Sequence, residues 1–289
     1  MLLDHGALFD DATALCIAAS QGNGVEVRLQ LDGGVSVDAK NLEGMTALHC
    51  ATLGGHDAVV QVLIDHGADI NAVAHRERTA LHLAVEREAR RRYSNDTTSP
   101  PLVAIIDALL DHGAEVNAED VNGMTPLHYA VQDTSGRLSQ LLLDRGAQID
   151  ARRLNGETPL HILAGFAWWT EEKGMTLLLE RGPRIDAKDE GGLTPLHCAA
   201  RRDGGNNISL LLDHGAHVDA RDHRGWTPLH MAVASTSSMD ALRRLVDHDA
   251  DINALDNDGM TPLDHIPRKL GNWKSDYLIQ RGAVEGRRI

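Results

Sequence analysis

Thr125-Pro126-Leu127-His128-Tyr129-Ala130, followed by Leu141-Leu142-Leu143-Asp144-Arg145-Gly146-Ala147, is the stretch on which the fold turns. A threonine hydroxyl is a helix N-cap, and the proline after it is preorganised for the first helical turn. The leucine spacing before Gly146 reads as an amphipathic helix closed by glycine in the left-handed cap position. The stretch therefore encodes two short antiparallel helices, too small a unit to bury its own apolar face.

The same phrases recur along the chain. Thr-x-Leu-His or a close variant begins at Thr13, Thr46, Thr79, Thr125, Thr158, Thr194, Thr227 and Thr261, at spacings of 33, 33, 46, 33, 36, 33 and 34. The glycine that closes the second helix stands at Gly34, Gly67, Gly113, Gly146, Gly182, Gly215 and Gly282, with Asp249 in the same place. From each such position to the next threonine is 12 residues without exception, so all length variation falls between the two helices of a unit. The constant link ends in turns such as Asn122-Gly123, Asn155-Gly156 and Asp258-Gly259 and reads as a projecting hairpin. Glu77 stands at the tip position that other links give to glycine, which predicts a non-glycine residue at positive φ or a changed turn.

The period of 33 with Thr-Pro-Leu-His, Leu-Leu-x-x-Gly-Ala and Val-Asn-Ala resembles the ankyrin repeat family, across essentially the whole chain. The fold class expected is all-α, an ankyrin-repeat solenoid of stacked helix-turn-helix units with projecting β-hairpin fingers. One ankyrin repeat domain is expected over 1–289: a partial repeat at 1–7, then repeats at 8–40, 41–73, 74–119 (with an insertion at about 88–100), 120–152, 153–188, 189–221, 222–255 and a C-terminal cap at 256–289. The resemblance implies stability from stacked neighbours and binding on the concave face of fingers and first helices. It gives structural roles to Thr46, His49, Thr79, His82, Thr125, His128, Thr158, His161, Thr194, His197, Thr227 and His230, with the histidines bonding between repeats. Gly67, Gly113, Gly146, Gly182 and Gly215 are structural as helix stops. It also implies a resemblance of Asn71, Asn117 and Asn253 to substrates of an asparaginyl hydroxylase, although backbone hydrogen bonds suffice to explain them.

Composition narrows the function. Lys and Arg number 28 against 42 Asp and Glu, a formal charge of -14 that disfavours nucleic acid as a partner. No apolar run approaches a membrane span. Three scattered cysteines, Cys16, Cys50 and Cys198, signal neither a disulfide framework nor a zinc site, and no secretion signal precedes them, which favours an intracellular setting. Of 16 histidines, eleven sit in two repeat registers, and the rest lack ligand spacing. Asp256-Asn257-Asp258-Gly259 resembles part of a calcium loop but lies in finger register. No catalytic centre, cofactor or metal is expected.

What remains is a binding face. The residues before each finger-borne threonine are Met45, Arg78, Met124, Glu157, Leu193, Trp226 and Met260, five of the seven apolar. Those after the finger alanine are Lys40, Val73, Glu119, Arg152, Lys188, Arg221 and Leu255. Arg152, Lys188 and Arg221 place cations on adjacent repeats, joined by Arg153 and Arg224 and by apolar Leu193, Trp226, Met124 and Met260. The partner expected is another protein, through an extended acidic-apolar segment, bound by a monomeric chain. The function expected is a non-catalytic adapter, scaffold or inhibitor. The alternative is the recognition part of a larger receptor or enzyme with an N-terminal portion missing, suggested by the absent first finger. A polar closing repeat is expected around Arg268, Lys269, Lys274, Arg281, Arg287 and Arg288. Two insertions, one with Arg90-Arg91-Arg92 and a polar loop through Pro100-Pro101, the other with Phe166, Trp168 and Trp169, read as a lengthened helix with a loop and as a shielded turn.

Overall fold

A computed structural model describes residues 11–91, 102–133, 135–166, 172–202, 205–235, 239–267 and 273–286. Most of the polar insertion, Trp168 and Trp169, and Arg268, Lys269, Arg287 and Arg288 lie outside the described residues. The chain forms two compact units, residues 1–133 with 144–147, and residues 134–143 with 148–289. In the first, α1 (Asp11–Ser20) and α2 (Gly24–Asp32), α3 (Ala47–Gly54) and α4 (Asp57–Asp65), and α5 (Ala80–Arg90) and α6 (Val103–Asp111) are helix pairs, followed by α7 (Pro126–Ala130). First helices pack on first helices, α1 on α3 on α5 on α7, and second helices on second, α2 on α4 on α6.

The second unit repeats the scheme. It contains α8 (Arg137–Asp144), then the pairs α9 (Pro159–Ala164) and α10 (Lys173–Glu180), α11 (Pro195–Arg202) and α12 (Gly205–Asp213), and α13 (Pro228–Ala234) and α14 (Met239–Asp247). A 3₁₀ turn, Pro262–His265, and α15 (Trp273–Ile279) finish it. Each unit is thus a solenoid segment of stacked helix pairs. Residues 153–188 bury Leu160, Leu163, Met175, Leu178 and Leu179, and they do so against the neighbouring repeat, since α9 packs on α11 and α10 on α12.

Five first helices begin the same way, whereas α1 starts at Asp11 and so carries Thr13 inside it rather than at its start. Thr46, Thr79, Thr125, Thr158 and Thr227 are extended N-cap residues in reciprocal capping boxes with the histidine three residues on. The histidine Nδ1 accepts the threonine amide N–H, at 3.1 Å for Thr158 and His161. The ring proton therefore sits on Nε2, which donates to the backbone carbonyl before the next threonine. His82 reaches Met124 O, His161 reaches Leu193 O and His197 reaches Trp226 O, each at 3.0 Å. The other histidine register serves helix ends: His66, His112, His214 and His248 donate from Nδ1 to the carbonyl four residues earlier.

The closing glycines have the conformation expected of them, with φ of 77° at Gly67, 89° at Gly113, 90° at Gly146, 71° at Gly182 and 90° at Gly215. Space is not the reason for glycine there, because a Cβ would meet nothing within 4 Å at any of the five. Asp249 adopts the same turn at φ 62°, and Arg76 and Glu77 stand at 63° and 58°. The altered third finger predicted from Glu77 is thus a short 3₁₀ turn over His75–Glu77 with two non-glycine residues in the left-handed region.

The fingers are narrower than β-hairpins. No strand occurs among the described residues, and the fingers close on a cross-bond, such as Asp120 N to Met124 O at 3.0 Å or Asp256 N to Met260 O at 2.9 Å, around a tip turn, Gly123 N to Asp120 O at 2.8 Å or Gly259 N to Asp256 O at 3.1 Å. Five residues are too few for a ladder, and cohesion comes from the next finger. Val121 N donates to Arg76 O, Glu190 N to Asn155 O, His223 N to Gly191 O and Asn257 N to Arg224 O. Asn71 and Asn253 also clasp neighbours, donating to Gly113 O and Gly282 O and accepting from Glu115 N and Val284 N.

One reading of the closing repeat needs correcting. Lys274 is not part of a polar outer face but fully buried, its ammonium donating to Ala232 O and Ser235 O at 2.8 Å. Those carbonyls terminate α13, whose dipole end attracts the cation. The lysine takes the place of a helix stop.

Burial pulls the imidazoles of His82, His161 and His197 below their usual pKa, and that of His49 from 6.5 down to about 4. These rings are neutral in the fold and take up a proton readily once unfolded, so their contribution is complete above pH 6.5 and disappears as pH falls toward 4. For His49 alone the difference corresponds to roughly 3 kcal/mol. Circular dichroism against pH is expected to register cooperative loss of helix between pH 6.5 and 4; a stability unchanged down to pH 4 would contradict it.

Candidate functional site

The fingers carry the exposed and chemically varied side chains. Arg152, Lys188 and Arg221 are exposed, as expected for rungs on neighbouring repeats. Two of them are engaged with the chain itself: Arg152 donates from its guanidinium to Lys188 O, and Lys188 Nζ donates to Arg221 O, both at 2.9 Å. In the first unit Lys40 Nζ does the same to Val73 O at 2.8 Å. A cation at this register is long enough to reach the carbonyl of its counterpart one repeat on. The geometry makes a staple between fingers, with part of the charge left for a partner. Arg221 has no such bond among the described residues, and its guanidinium lies over Gly225, where a Cβ would come within 2.6 Å of it.

The apolar residues before each threonine, Met45, Met124, Leu193, Trp226 and Met260, are all half-buried. Trp226 is the most enclosed by rings. His265 lies 4.5 Å from it, His230 stacks at 6.0 Å, and the Arg224 guanidinium covers it at 4.2 Å. Arg224 also pairs with buried Asp222 at 3.1 Å while its own side chain stays 60 % exposed. It is therefore Arg224, rather than the indole, that faces outward here. Arg153 is tied to Glu157 in an ion pair.

A groove that the sequence did not single out lies in the first unit. It has a volume of about 870 Å³ and is lined by Lys40, Leu42, Met45, Val73, His75 and Arg76, with Arg78 beside them. Leu42 is 93 % exposed and Val73 42 %, so the groove offers apolar surface beside cations in a molecule of net charge -14. Arg78 forms part of the wall, paired with Glu86 and lying 5.2 Å from the Tyr129 ring. Glu77 in place of the tip glycine marks the altered finger in the sequence, and His75 and Arg76 of its 3₁₀ turn line the groove.

Nucleophilic chemistry finds little support. All three cysteines are buried. Its contact with Cys16, together with burial, pushes the Cys50 thiol up, and burial raises that of Cys198 to about 12. Neither thiol has the electropositive, accessible setting that makes a thiolate. Asp256 of the calcium-like stretch uses Oδ1 to accept the amides of Asp258 and Met260 at 2.9 Å, which is a finger turn. No described helix is long and apolar enough to cross a membrane.

The staples predict a division of labour that is measurable before any partner is known. Replacing Arg152 and Lys188 together by Gln is expected to lower stability by about 1–2 kcal/mol, from two partly exposed hydrogen bonds. Arg221→Gln is expected to stay within about 0.5 kcal/mol of the parent. Urea unfolding compares the three chains, and equal midpoints would mean that the staples hold nothing.

The ankyrin repeat model, written as three copies, matches residues 1–74, 72–153, 135–222 and 206–285. No curated protein sequence matches significantly. Among solved structures, the crystal structure of the ankyrin repeat domain of Bcl-3, described as a unique member of the IκB protein family, is 31 % identical with a TM-score of 0.66, over 81 % of this chain and 98 % of that one. With the capped threonines, the bridging histidines and the stacked helix pairs, these matches place the chain in the ankyrin repeat family, whose repeats are protein-protein interaction modules.

Proposed function

We propose that the protein is a non-catalytic binding module, acting as an adapter, scaffold or inhibitor inside the cell, and that it holds an extended acidic-apolar segment of a partner protein against its fingers. The observation that carries this reading is the groove of the first unit, where exposed Leu42 and Val73 lie beside Lys40, His75 and Arg76. An apolar side chain of the partner would cover the leucine, and carboxylates would meet the cations. Cations set within an acidic molecule favour such a segment over a basic one, by attraction on approach and repulsion of wrong partners. The mechanism is stoichiometric recognition. Arg221 and Arg224 of the second unit are the next candidates, since both are exposed and on fingers.

The likeness to an IκB-family ankyrin domain is in keeping with an inhibitor or adapter. Affinity capture from native lysate, with mass spectrometry of the retained proteins, compares the parent with Leu42→Glu/Arg76→Glu and with Arg221→Glu/Arg224→Glu. Circular dichroism establishes that both variants are folded. A partner retained by the parent and depleted at least tenfold, on the order of 1.4 kcal/mol, from the first variant is the expected result. Identical captures by all three chains would remove the fingers from consideration.

A further inference from the structure

His230, Asp256 and His265 come from three places in the second unit: α13, the start of the last finger, and the 3₁₀ turn Pro262–His265. Two imidazole nitrogens and one carboxylate oxygen of this trio lie within 4.8 Å of one another. Asp256 and His230 are buried, and His265 is partly accessible. His265 Nε2 stands 2.7 Å from Asp256 Oδ2. Both ring nitrogens of His230 are accounted for, Nδ1 by Thr227 and Nε2 by Met260 O. The latter bond is 3.4 Å long, against 3.0 Å for the equivalent bonds of His82, His161 and His197. The carbonyl clasp is thus loosest where a second imidazole and a carboxylate converge on the same ring.

We propose that His230, Asp256 and His265 form a binding site for a divalent transition-metal ion of zinc type, joining the last two repeats. Two imidazoles with one carboxylate suit Zn²⁺ and disfavour Mg²⁺ or Ca²⁺, which take oxygen ligands. With metal–ligand distances near 2.0–2.1 Å, tetrahedral donors stand about 3.3 Å apart. The wider separations must contract and the Asp256–His265 contact must open slightly. Ligation of His230 through Nε2 leaves its ring proton on Nδ1. At His230 the Thr227 Oγ1, 2.9 Å from Nδ1, accepts it. Solvent supplies the remaining position through the accessible edge at His265. The cost is the Met260 carbonyl bond and the Thr227 amide bond, which weakens the site and makes it responsive to metal concentration.

The competing account is a plain hydrogen bond, and the chain contains its example. At the equivalent places of an earlier repeat Tyr129 Oη donates to Asp120 Oδ2 at 2.6 Å, a pair held by a hydrogen bond. His265→Tyr therefore reproduces a pairing this fold already accepts while removing a ligand. Asp256→Asn removes the carboxylate and keeps the turn, because Asn41 accepts Glu43 and Met45 amides in the same way.

The test is isothermal titration of the metal-free full chain with ZnCl₂, repeated with CoCl₂ by visible absorption, and circular dichroism of each variant. The expected result is a specific Zn²⁺ site in the parent, with cobalt bands of a low-coordinate nitrogen-oxygen site, and affinity at least tenfold weaker in both folded variants. If one variant fails to fold, the other decides. Absence of binding by the parent, or equal binding by parent and folded variants, which would assign the ion to surface histidines, overturns the proposal.

Discussion

The structure depends on one neutral imidazole used at both ends. In each bridging repeat the histidine of Thr-x-Leu-His accepts the amide that opens its own helix and donates to the carbonyl that precedes the next helix. Neither nitrogen has capacity to spare, and burial keeps the ring uncharged. Loss of such a ring leaves an amide, a hydroxyl and a carbonyl unsatisfied in a dry interior, at about 1–3 kcal/mol each. The fixed 12-residue link follows, since it sets where that carbonyl stands relative to the end of the preceding second helix. Insertions accumulate instead between the helices of a unit, where no such bond has to be met.

The same logic governs the fingers, and it couples binding to stability. A finger of five residues closes only on itself, so it gains further order from its neighbours through tip amides, through Asn71 and Asn253, and through the long cations Lys40, Arg152 and Lys188. Residues that a partner would meet are therefore partly committed to holding the surface in shape. The exceptions, Leu42, Arg76 and Arg221, are where recognition can vary at small cost to the fold.

Much of this was legible in the sequence because the signals are local or strictly periodic. Thr-Pro at a helix start, glycine at its end and histidine three residues after the threonine act within a turn or at one fixed repeat distance. What was not legible depends on how far a side chain reaches. Arg152 and Lys188 read as exposed charges, and only the spacing of stacked fingers turns them into staples. Lys274 read as polar surface, yet the end of α13 supplies carbonyls that justify burying it. The groove lined by Leu42 and Arg76 lies between two neighbouring fingers, one of them with Arg76 and Glu77 at positive φ, and Glu77 at a glycine position was the one local sign of that altered finger. His230, Asp256 and His265 share no ligand spacing, since two repeats must stack before they meet.

The most direct test of the central claim is native-state hydrogen exchange on His197→Leu. If the imidazole is the tie between repeats, amides of α11 and of the following finger, residues 217–226, lose protection together, while those of α3 and α5 keep theirs. Loss confined to α11, with the next finger protected as in the parent, would contradict the account and reduce the histidine to a local cap.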